Sequence, residues 1–129
     1  MMKPLPFLQI AYDLEVAGLI WQPEIGDEIS DRKEDSAISI LVDPHGMTPR
    51  ELREVYLWLP TVEQMIHQFE ARQTILFHAG LELTDSMMVY KTVIQSRIGP
   101  IESRAASLRH SLGLALRDLL INTVTDSLH

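Results

Sequence analysis

The chain contains no cysteine, which removes disulfides, thiol nucleophiles, zinc ribbons and Cys-ligated iron–sulfur clusters together. Glycine is sparse, with 6 scattered over 129 residues, and no GxGxxG or GxxxxGK phosphate loop forms. The GxSxG elbow and the HExxH pair are also missing from the sequence. Positive charge is in short supply: 11 Lys and Arg stand against 18 Asp and Glu, a net charge of −7. That balance argues against a nucleic-acid partner, because phosphate contacts dominate such binding. No apolar run approaches the roughly 18 residues that would cross a bilayer, so no membrane partner is expected. The start, Met1-Met2-Lys3-Pro4-Leu5-Pro6-Phe7, interrupts its short apolar stretch with two prolines. A secretory leader needs an unbroken apolar region, so the expected location is the cytoplasm.

What is present is ordinary globular composition, 46% hydrophobic and 22% charged. The length fits one domain, 1–129, able to bury a core without staples. Charge is unevenly placed. Residues 1–63 hold 12 acids and 5 bases, whereas residues 64–129 hold 6 of each, so the whole net charge lies in the first half. Such asymmetry favours docking of unlike halves, within one chain or between chains.

The first third reads as β. Ile10, Tyr12, Leu14 and Val16 alternate with polar residues, Leu19-Ile20-Trp21 follows the break at Gly18, and Ala37–Val42 is β-rich. The rest reads as helical. Thr48-Pro49-Arg50-Glu51 and Thr61-Val62-Glu63-Gln64 are both capping boxes, with Pro60 between them and Gly80 as a stop for the second helix. Residues 85–97 are contested: Met88–Ile94 has strong strand propensity, but Asp85 at the start and Gly99-Pro100 behind argue for a helix, which is the reading adopted. Ile101, Ala105, Leu108, Leu112, Ala115 and Leu119 form a seven-residue seam on a last helix whose second half is apolar on several sides. The expected fold class is therefore α+β, a small antiparallel sheet in the N-terminal third followed by about four packed helices.

Two constellations carry possible chemistry. Glu63, His67 and Glu70 are spaced i, i+4, i+7, with Thr74 and His78 continuing that helix face. Carboxylate and imidazole suit a divalent metal such as zinc, manganese or iron, with further ligands from Glu82, Asp85 or His110. The competing reading is a solvated face with local Glu–His pairing. The second is Asp43-Pro44-His45-Gly46, ahead of the helix opened by Thr48, where Arg50 could meet an anionic ligand. Asp, Pro and Gly at those offsets also compose a type I turn. The acidic run from Glu24 to Asp35 fails as a calcium loop, since counting from Asp27 puts Arg32 where the Gly belongs. Leu57 and Trp58 fall off the apolar face of their helix and mark a candidate contact patch.

The expectation is a non-enzymatic interaction protein without a cofactor. It would be a homo-oligomer through Leu108, Leu112, Leu116, Leu119 and Leu120 of the last helix, with C₂ symmetry the commonest arrangement, and would offer its acidic half to a protein partner. The alternative is a metal- or small-ligand-binding protein, or an enzyme, using Glu63, His67 and Glu70 or the junction of Asp43, His45 and Arg50.

Overall fold

A computed structural model describes residues 7–34 and 37–127. The proline-containing start, residues 1–6, and the end of the acidic run at Asp35 lie outside the described residues. The element order is α1 (Leu8–Val16), β1 (Glu28–Asp31), β2 (Ile38–Ile40), α2 (Pro49–Val55), β3 (Tyr56–Trp58), α3 (Val62–Ala71), β4 (Ile75–Thr84), β5 (Met87–Ser96), β6 (Gly99–Ala105) and α4 (Leu108–Ser127). Two antiparallel sheets result, β2-β1-β3 and β4-β5-β6.

The α+β content stands, but the expected arrangement does not. Strands run through the middle and second half, and the chain opens and closes on helices. Residues 8–16 are helical because the side chains that become buried are Ile10, Ala11 and Leu14, at helical spacing. Tyr12 and Val16, which completed the apparent alternation, are 51% and 69% exposed. Leu19–Trp21 forms no strand, whereas the strand expected within 37–42 is present as β2.

Both capping boxes form. Thr48 Oγ1 accepts from Glu51 N, Thr61 Oγ1 accepts from Gln64 N, and each N3 side chain accepts from the N-cap backbone in return. Beyond the boxes, both helices are shorter than expected. The helix α2 stops at Val55 and turns directly into β3, and α3 stops at Ala71 with Gln73 in the left-handed region rather than running to Gly80.

Residues 75–96 form a hairpin of two ten-residue strands. Thr84 pairs with Met87 across the two-residue turn Asp85-Ser86, both with positive φ, as a type I′ turn requires. The strand propensity of Met88–Ile94 prevails, and Gly99-Pro100 begins β6 instead of ending a helix. Ile101 and Ala105 belong to β6, so the seven-residue seam spans two elements and only Leu108 onward is helical.

The helix α4 lies across β5 and β6 and against α1 and α3. Its Leu112, Ala115, Leu116, Leu119 and Leu120 join Leu14, Phe69 and Ile94 in the main core, while a smaller core gathers Trp21, Ile29, Leu41 and Leu52. Arg109 ties the two halves. Its Nη2 donates to Leu59 O at 2.8 Å, its Nε donates to Pro60 O at 3.0 Å, and Glu28 on β1 lies 3.3 Å away.

Candidate functional site

Of the junction residues Asp43 and His45 meet, with His45 Nδ1 3.5 Å from Asp43 Oδ2, but Arg50 does not join them. The backbone N–H of His45 donates to Asp43 Oδ1 at 2.8 Å, and His45 itself has φ 51°. Its imidazole and the Asp43 carboxylate are 77% and 60% exposed. Arg50 is directed away, to Glu54 at 3.6 Å along the same helix. The turn that forms is not the type I turn expected over Asp43–Gly46: His45 and Gly46 both have positive φ and Met47 N donates to Pro44 O at 2.9 Å, as in a type I′ turn.

Glu63, His67 and Glu70 are all exposed on α3. Thr74 lies beyond the helix end, and His78 is on β4, so the continuous face drawn through them does not exist. Among the described residues no three His, Asp or Glu side chains are placed to hold a metal ion. His67 does line a shallow cleft with Gln22, Glu24, Asp27, Trp58 and Gln68. The centre of that region is Asp27, 6% exposed: its Oδ2 accepts from Trp21 Nε1 at 2.8 Å and from Glu24 N at 2.9 Å, and its Oδ1 accepts from Gln64 Nε2 at 2.7 Å. This carboxylate is committed to holding structure together, with three donors satisfied at once.

Leu112, Leu116, Leu119 and Leu120 are at most 5% exposed, and Leu108 packs half-buried against the same core. The chain itself covers the apolar side chains that pointed to a partner. Leu57 and Trp58 are likewise half-buried against that core. A second cleft, of about 320 Å³, opens between α1 and the small sheet, lined by Glu15, Leu19, Trp21, Arg53, Tyr56 and Trp58. The Trp58 indole Nε1 is buried without a hydrogen-bond partner among the described residues.

The surface that sequence reasoning missed is the β4–β5 hairpin. A bulge between Leu76 and His78 shifts its register, putting Leu76, Ala79, Leu81 and Leu83 on the face that carries Ile94, Thr92, Tyr90 and Met88 of β5. The helix α4 covers one end of that face, where Thr92 Oγ1 lies 2.8 Å from Ser111 Oγ. It leaves the other end open. The strand β6 begins to pair only at Tyr90, opposite Ala105, so Glu82–Thr84 and Met87–Val89 project as a two-stranded arm. On that face Leu83 and Met88 of the arm and Leu81 beside it are 68%, 58% and 52% exposed, Met87 is 67% exposed on the opposite face, and Phe77 at the bulge is 78% exposed. Clusters of this kind mark contact sites, and a two-stranded ribbon alone has little stability in water.

The opposite face carries Met87, Val89 and Val93 with a charged cluster at its centre. Glu82 lies 3.1 Å from both Lys91 Nζ and Arg104 Nε, and these two partners hold its carboxyl below the usual carboxylate range, Lys91 first. A period-2 signal for β4 is legible in Ala79, Leu81 and Leu83, but Asp-Ser is a weaker hairpin marker than Asp-Gly. Comparison with protein-family models, with curated proteins and with solved structures finds no match to this chain.

Proposed function

We propose that the chain is a non-enzymatic interaction protein that works as a homodimer, with its acidic first half left open to a further protein partner. The observation that carries this reading is the apolar overhang of the β4–β5 arm, where Leu83 and Met88, with Leu81 beside them, are each more than half exposed on one face. Self-association is thereby assigned to the arm and not to the last helix, whose leucines are already buried. Cytoplasmic placement belongs to the same proposal; among the described residues no helix is long and apolar enough to cross a membrane.

A second reading has one specific observation in its favour. The cleft beside Trp21 and Trp58 is at the lower end of the size range of small-molecule pockets, and Trp58, one of its lining residues, has a buried indole N–H unpaired among the described residues. A native mass spectrum of the purified chain tests both. Twice the chain mass supports the interaction reading. The single-chain mass overturns it, and added mass from a retained small molecule favours the cleft.

A further inference from the structure

The free edge of β4 says how two copies meet. In a two-residue hairpin the pair flanking the turn exchanges both main-chain hydrogen bonds, and pairs alternate from there. Thr84–Met87 is that flanking pair, so Glu82–Val89, Gly80–Lys91 and His78–Val93 bond inward. The backbone N–H and C=O groups of Ala79, Leu81 and Leu83 therefore point outward, away from β5. Among the described residues no other strand lies on that side, since β4 is the end strand of its sheet. The regular stretch after the bulge, 78–84, contains none of the Lys or Pro residues that usually blunt an edge.

We infer that a second copy of this chain docks on the β4 edge, the two strands pairing antiparallel about a two-fold axis at Leu81, so that two three-stranded sheets become one of six strands. The inference rests on the homodimer reading above and names its geometry. This register is the one that uses every outward group: Leu81 meets Leu81, and Ala79 meets Leu83 in both directions. It also keeps the faces matched, because a two-fold axis normal to the sheet preserves them. Small Ala79 opposite large Leu83 fills the open face without a clash. On the other face Glu82 comes opposite Gly80, so the two Glu82 carboxylates do not meet, and each keeps its own Lys91 and Arg104.

Charge does not oppose a second copy at this edge. Two molecules of net charge −7 repel through their acidic halves, but residues 64–129 are neutral and carry this edge. Exposure agrees. Leu81 and Leu83 of β4 are 52% and 68% exposed, and a paired strand from a second copy lies against both. A main-chain ladder of the β-augmentation type adds to that contact.

The absence of cysteine makes the test direct. Hydrogen-bonded antiparallel partners have Cα atoms about 5.5 Å apart, within disulfide range. Leu81→Cys, oxidised under native conditions, is expected to run almost entirely as a covalent dimer, and a mixture of Ala79→Cys and Leu83→Cys chains to cross-link to each other. Val42→Cys, 74% exposed in the loop after β2, reports chance collisions and is expected to give only a trace. A dimer by mass in which neither the Leu81→Cys protein nor the mixture cross-links above the Val42→Cys level overturns the β4 pairing and leaves the homodimer standing. A protein monomeric by mass overturns both.

Discussion

Thr92 on β5 and Ser111 on α4 are both fully buried, and their hydroxyl oxygens lie 2.8 Å apart. Ser111 also contacts β6, since its backbone oxygen accepts from Ser103 Oγ at 2.6 Å. These contacts fix the last helix on its own sheet. Thr92→Val keeps the shape and removes one hydroxyl, and Ser111 Oγ retains a donor position to Ser103 O at 3.3 Å. The expected cost is about 1 kcal/mol, read from denaturant unfolding. Leu112→Glu, one residue on, places a charge where exposure is zero, and the expected result is loss of the cooperative transition rather than a well-folded monomer.

Gly113 faces α1 closely. A Cβ there would lie 2.6 Å from Ile10 Cγ2 and 3.0 Å from Phe7 Cε2. Alanine improves helix propensity by about 1 kcal/mol, while overpacking costs about 1–3 kcal/mol. Steric conflict is the larger effect, so Gly113→Ala is expected to lower the melting temperature. A rise would mean that α1 yields at no cost.

Asp27 holds Trp21, the Glu24 backbone and Gln64 in one network. Asp27→Ala strands the buried Trp21 indole N–H and the Gln64 amide, with an expected loss of about 2–4 kcal/mol. Trp21 fluorescence should shift as the small core loosens, because Trp21 is itself a member of that core.

Part of this fold is legible in the sequence and part is not, for definite physical reasons. Thr48–Glu51 and Thr61–Gln64 are legible because capping is local: one hydroxyl and one N3 side chain satisfy orphan amides whatever the surroundings. The burial of Leu112–Leu120 is legible too, since a helix apolar on several sides needs cover. The source of that cover is not, because Ile94, Phe69 and Leu14 are distant in sequence. The hairpin escapes a local reading because Asp85 is as good an N-cap as a turn residue, and the choice depends on the partner strands. Asp43–His45 and Glu63–Glu70 have the right residue types for a site, but their neighbours point elsewhere. The arm offers only the period-2 signal of Ala79, Leu81 and Leu83 and the strand propensity of Met88–Ile94, and the Asp27 network lacks any local motif.

Glu82 makes a pH prediction. Its carboxyl is held low by Lys91 and then Arg104, so the folded state binds its proton less readily than the unfolded chain. A lowered native value contributes stability that is present above the ordinary value of 4.5 and is lost as pH falls through the native value. Acid titration of stability should therefore be shallower in Glu82→Gln than in the unaltered protein. The effect is small, as the cluster lies at the surface, where solvent screens it.

The central claim is that the solvated apolar face of the β4–β5 arm is where this chain meets a partner. Sedimentation across a concentration series, comparing the unaltered protein with a Leu83→Lys/Met88→Lys variant, tests it most directly. Both side chains are more than half exposed, so the variant should keep its circular dichroism and melting temperature at concentrations where both proteins are monomeric. The account predicts a dimer for the unaltered protein and a folded monomer for the variant. An unaltered protein that stays monomeric, or a variant that dimerises as tightly, contradicts it.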